Sequence, residues 1–206
     1  MPAPRSKPLL AWEPLPFLVL VGLLLLTGVI RPEGPPSVFW PYLVVIGLAV
    51  AWLIVSLVRG LRRTNPDRWG DLSTLEGLDV LDVRRRDREV RSVVPVDEAN
   101  RHQPAIELAR LYGGAEQHAV LVPRASRWLK RRYRIGVQLV GGDRPRNAGF
   151  LGRVAEDRWV DLLDGLRERG TYVRVPAIIV GASRPYGVDL DLSGLEALEA
   201  PESPAD

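Results

Sequence analysis

Cysteine is missing from this chain of 206 residues. Its absence excludes disulfides, thiol nucleophiles and thiolate metal sites, and it leaves the redox compartment open. Lysine is nearly missing as well: among 28 basic residues only Lys7 and Lys130 are lysine. Such a bias is expected of a GC-rich bacterial gene, so a lone arginine says little about a bidentate anion site. Two histidines, His102 and His118, are the only imidazoles available for acid–base work. A net charge of +3 gives the chain no global polyelectrolyte character.

Two uncharged apolar runs, Leu15–Ile30 and Val38–Val58, are what the chain does have. A bilayer core of ~30 Å needs about 20 helical residues. Val38–Val58 meets that length, with Phe39, Trp40 and Tyr42 at one end, where aromatic rings favour the headgroup layer. Leu15–Ile30 is shorter and is extended by Leu9, Leu10 and Trp12. Pro41 is expected in the first turn of the second helix, where a missing N–H costs little. The expected anchor is therefore a membrane α-helical hairpin: N-terminus 1–13, helix 14–31, external loop 32–37 and helix 38–58. Arg5 and Lys7 precede it, and Arg59, Arg62, Arg63 and Arg68 follow it. The positive-inside rule then places both termini in the cytoplasm of an inner-membrane protein, with Arg59, Arg62 and Arg63 at the membrane surface. Gly47 and Ala51 form a small-xxx-small pair, either ordinary membrane glycine spacing or a helix contact.

Residues 59–89 read as a basic linker, with the run Arg84–Arg91 either a solvated surface or an anionic-lipid contact. Val90–Val96 is β-rich, and Pro95 suggests an edge strand. His102–Tyr112 reads as a helix stopped by Gly113-Gly114. Ala119–Pro123 reads as a short buried strand. Ile135, Val137 and Leu139 alternate as a half-buried one, and Ala148–Leu151 returns. Ala155–Arg169 is an amphipathic helix through Trp159, Leu162, Leu163 and Leu166. Val173–Ile179 and Val188–Leu192 alternate again, with Asp189 and Asp191 expected to face out. Residues 193–206 read as an acidic frayed tail. The soluble fold class is α+β: a small OB-like β-barrel with two helices.

The order Val93-Val94, Ala119-Val-Leu-Val-Pro123, Ile135-Gly-Val-Gln-Leu139, Ala148-Gly-Phe-Leu-Gly152 and Tyr186-Gly-Val-Asp-Leu190 resembles the HIRAN domain over about residues 90–192. The resemblance implies an OB-like barrel. Some members of that family bind the 3′ end of single-stranded DNA. Where the family carries an acidic, asparagine-containing stretch between its central strands, this chain has Arg124-Ala-Ser-Arg-Trp-Leu-Lys-Arg-Arg-Tyr-Arg134, so the family's polar residues have no counterpart there.

That stretch holds Arg124, Arg127, Lys130, Arg131, Arg132 and Arg134 with Trp128 and Tyr133 interleaved. Cations with stacking rings suit single-stranded nucleic acid. The same composition suits an anionic leaflet, while a plain solvated loop covering the core is equally open. No catalytic constellation accompanies it. Asp97, Glu98 and His102 match no standard ligand spacing. His102 reads as a helix start and His118 as an exposed residue. Ser126 and Lys130 lie four apart without an oxyanion site. Gly141-Gly142 precedes Asp143 and reads as a turn, not a phosphate cradle. The expectation is a membrane-anchored binding module without enzymatic activity, cofactor or metal. Its candidate partners are membrane lipids and a protein in the membrane or cytoplasm, with nucleic acid a weaker candidate. The alternative is an accessory membrane subunit contacting a protein partner or the leaflet.

Overall fold

A computed structural model describes residues 6, 12, 14–28, 35–62, 72, 74–83, 93–126, 130, 132–142 and 144–199, with the side chains of 59–62 and 199 excepted. The chain divides into two compact units, one built on the apolar helices and one on strands.

In the first unit, α1 (Leu15–Leu26) and α2 (Pro36–Arg62) pack together. The Tyr42 hydroxyl donates to the Leu23 carbonyl and lies 2.8 Å from the Thr27 hydroxyl, so a polar staple joins the two helices. Tyr42 and Ala49, seven residues apart, are the buried positions among the described side chains of α2. Gly47 and Ala51 lie on its exposed face, so the small-residue pair does not pack the helices of one chain. From Pro36 to Val58, α2 has 23 residues of mean hydropathy 2.4, long and apolar enough to cross a membrane. α1 is shorter, with 12 residues. α2 begins before Val38, so Pro41 sits in the second turn, not the first.

The second unit is a closed six-stranded barrel with helices. β3 (Glu116–Ala125), β4 (Arg134–Leu139), β5 (Arg146–Leu151), β2 (Val93–Asp97), β7 (Gly187–Asp191) and β6 (Thr171–Val180) pair antiparallel in that order. β6 pairs again with β3, which closes the ring and removes its edges. β1 (Asp79–Asp82), inside the segment expected as linker, adds to β6 in parallel outside the ring.

Closure changes one strand reading. β2 is not an edge strand: Val93–Pro95 pair with β7, and Val96–Asp97 with β5. Pro95 is tolerated because it has a ladder partner on one side only. Pro176 lies where the free side of β6 passes from β1, at Arg174, to β7, at Ala177.

β-branched and leucine side chains alternate into the interior, where Leu121, Ile135, Leu139, Leu151, Leu163, Leu190, Leu192 and Leu195 are almost completely buried. Outside the ring, Leu72, Val120, Val122 and Tyr172 form a second cluster with Leu75, Leu78 and Val80. β4 is consequently buried on both faces rather than half-buried, with Gln138 opposite Val120 fully enclosed.

Two helices flank the barrel. α3 (Gln103–Gly113) buries Ile106 and Ala109, and the Gln117 amide donates to Ala109 and Gly114 carbonyls at 2.7 and 2.6 Å to close its end. α4 (Arg153–Glu168) buries Ala155, Trp159, Leu163 and Leu166. Asp191 does not face out. Its carboxylate accepts from the Ser193 amide and hydroxyl at 3.1 and 2.6 Å. Ser193–Leu195 form a single 3₁₀ turn that carries Leu195 into the core, followed by α5 (Glu196–Glu199). The fray expected from residue 193 is therefore not found up to residue 199.

Candidate functional site

The described part of the basic–aromatic segment converges on α4. β3 carries a bulge where Val122 pairs with Gly136 and Ala125 with Arg134, so two residues of β3 oppose one of β4. Arg124 occupies it with φ of 58°, in the left-handed region that non-glycine residues rarely adopt. The bulge aims Arg124 at α4: its Nε donates to Asp164 at 3.1 Å and its Nη2 to Glu168 at 3.0 Å.

Arg134 opens β4 and is the most enclosed of the three arginines. Its Nε donates to Glu156 at 2.8 Å, and its Nη2 donates to Asp97 at 3.0 Å and to the Leu151 carbonyl. The guanidinium also lies 5.1 Å from the Phe150 ring centre. Its side chain is 14% exposed and that of Glu156 4%, so this is a buried pair joining β4, α4 and β2. Arg132, half exposed, adds an ion pair to Asp157 at 3.3 Å and to Glu156 at 3.5 Å.

Between these groups lies an open cavity of about 350 Å³, solvent at its mouth included. Arg124, Arg132, Tyr133 and Arg134 form one wall; Glu156, Asp157, Val160 and Asp164 form the other. Burial holds the Asp164 carboxyl above the ordinary aspartate range, against the opposing pull of Arg124. Three guanidiniums thus meet five carboxylates, those of Asp97, Glu156, Asp157, Asp164 and Glu168. The segment's base is locally acidic in balance, and its arginines are held by partners within the fold.

Of the residues singled out in the sequence, the structure brings together Arg124, Arg132, Tyr133 and Arg134. Lys130 is exposed. Arg127, Trp128, Arg131 and Arg63 lie outside the described residues, as do the side chains of Arg59 and Arg62. The carboxylates of α4 are the residues that sequence reasoning missed. Their signal was present, since Glu156, Val160, Asp164 and Glu168 recur every four residues, one helical face beside the apolar one.

Neither histidine lines the cavity. His102 stands at the N-cap of α3 and His118 is exposed on β3. Ser126 is buried while Lys130 is exposed. Among the described residues no group of three or more His, Cys, Asp and Glu side chains could hold a metal ion. No family model, curated protein or solved structure matches the chain.

Proposed function

We propose that this chain is a membrane-anchored, non-catalytic binding module. α1 and α2 form a two-helix anchor in an inner membrane with both termini in the cytoplasm, and an OB-like, HIRAN-like barrel is presented there. The observation that carries the anchor is the surface of α2. Val38, Trp40, Val44, Leu48 and Ile54 are each at least half exposed along a helix long enough to span. Contiguous apolar area on that scale is not left to water. α2 continues to Arg62, which places basic residues at its C-terminal end, where the positive-inside rule and the helix dipole both favour them.

The closed barrel with flanking helices is the architecture that the HIRAN resemblance implies, and it supports that reading of residues 90–192. The base of the basic segment acts as a buttress through Arg124, Arg132 and Arg134, and its tip, with Arg127, Trp128, Lys130 and Arg131, is the candidate ligand contact. The surplus of carboxylates at the base disfavours a long polyanion lying across it, so single-stranded DNA is the weaker ligand.

Membrane extraction and a reporter test the reading together. The chain is expected to stay in the membrane fraction through alkaline carbonate washing, and a reporter fused after Asp206 is expected to be active in the cytoplasm. Release by carbonate would overturn the anchor, and a reporter active outside would overturn the orientation. Salt-dependent binding of the intact chain to single-stranded DNA, lost in Arg127→Glu with Arg131→Glu, would move nucleic acid ahead of the other partners.

A further inference from the structure

We propose that α3 is the face of the barrel that meets the membrane, with Leu108, Leu111 and Tyr112 entering the headgroup layer and Arg101 and Arg144 meeting lipid phosphates. This rests on the membrane-anchored reading above and deepens it, because it names the surface that faces the lipid.

α3 buries one face and leaves the other unfinished. Leu108, Leu111 and Tyr112 share a face at i, i+3 and i+4, and they are 40%, 74% and 64% exposed. The patch is held rigidly from below. The Arg146 guanidinium lies 5.4 Å from the Tyr112 ring centre. The Gly141-Gly142 turn presses on the helix end so closely that a Cβ on Gly113 would sit 2.3 Å from the Gly141 oxygen, and one on Gly142 would sit 3.0 Å from the Tyr112 Cβ. Arg144, two residues past Gly142, is exposed.

Two exposed arginines bracket the patch along the chain: Arg101 in the 3₁₀ turn just ahead of α3, and Arg144 two residues past Gly142. Arg184 is paired with Glu107, Arg110 donates to the Ala182 carbonyl, and Arg146 is buried beneath Tyr112. Leucines and a tyrosine rimmed by arginines are the composition of an interfacial surface, apolar inward and cationic toward anionic headgroups. The partner is thus an anionic lipid surface.

Because the chain has no cysteine, single labels test this in the intact protein. Full-length Leu111→Cys and Val154→Cys are labelled with an environment-sensitive fluorophore. They are then reconstituted into phosphatidylcholine vesicles with and without phosphatidylserine. In the anionic vesicles the label at 111 is expected to be several-fold less accessible to an aqueous quencher than that at 154, and to be quenched by a headgroup-attached quencher. Adding Arg101→Glu with Arg144→Glu is expected to return it to water. Equal aqueous quenching at the two positions in a chain that floats with the vesicles overturns the role of α3 and leaves the anchor standing. Shielding at 111 that survives the charge reversal overturns it as well. A chain that does not float overturns both.

Discussion

α4 and α3 lie against the same barrel, and each buries an apolar stripe, yet their remaining surfaces are opposite in character. α4 turns Glu156 and Asp164 inward, where Arg134 and Arg124 meet them. α3 leaves Leu108, Leu111 and Tyr112 in solvent. A finished helix face contributes to the stability of the fold it belongs to. An unfinished one contributes little until something covers it. Substitutions on α4 are therefore expected to read out as stability, and substitutions on α3 as association.

Glu156→Ala is the largest expected break in this contrast. It leaves the enclosed Arg134 guanidinium without its closest carboxylate and removes one of the two acidic partners of Arg132. Removing one member of a buried pair costs about 3–5 kcal/mol, because the remaining charge stays desolvated. The urea midpoint of the detergent-solubilised chain should fall accordingly. A shift within error would mean that Arg134 reaches water freely and that α4 is no more closed than α3.

Gly149→Ala comes next. Gly149 has φ of 137°, and a Cβ there would lie 2.3 Å from the Asp97 oxygen. β2 must approach β5 this closely for Asp97 to reach Arg134. The added methyl therefore strains the backbone and loosens the clamp, at a cost of about 1–3 kcal/mol. Gly142→Ala at the α3 end meets only the Tyr112 side chain, nearest at its Cβ, 3.0 Å away, and should cost less. Equal urea midpoints for the two variants would erase the difference between the ends of β4.

These sites were unequally legible. The strands of the barrel were readable because Val, Ile and Leu alternate through Ile135–Leu139 and Val173–Ile179. Ring closure was not, since it depends on residues 93–97 meeting residues 187–191 and 150–151 across long stretches of chain. The six cations of Arg124–Arg134 read as a ligand surface because sequence counts charges without their partners. Three of them, Arg124, Arg132 and Arg134, have carboxylate partners on α4, at separations of 22 to 44 residues, and Arg134 has another on β2. The bulge that aims Arg124 leaves no mark in composition. Leu195 was hidden in a segment whose acidic and proline-containing character suggested fraying.

Asp164 gives a smaller and pH-dependent effect. Burial raises its folded pKa above the ordinary aspartate value of about 4, the value it keeps when unfolded. Between those two values the native state binds more protons than the unfolded state, so this group's contribution to stability falls as pH rises through the window. Compared with Asp164→Asn, the natural chain should gain ground as pH is lowered from neutral through the folded pKa. Parallel urea midpoints for the two proteins across that range would place Asp164 in contact with water.

The smallest change in stability is expected from the face that carries the interaction. Leu111 is 74% exposed and lies on the open side of α3, so Leu111→Ser removes little packing. Surface substitutions of this kind stay within about 0.5 kcal/mol. The urea midpoint should hold, while the same substitution, paired with Leu108→Ser, should increase the access of an aqueous quencher to a label at position 112 in anionic vesicles. A variant that lost stability instead would show that these leucines already have a partner within the fold. α3 would then be as finished as α4.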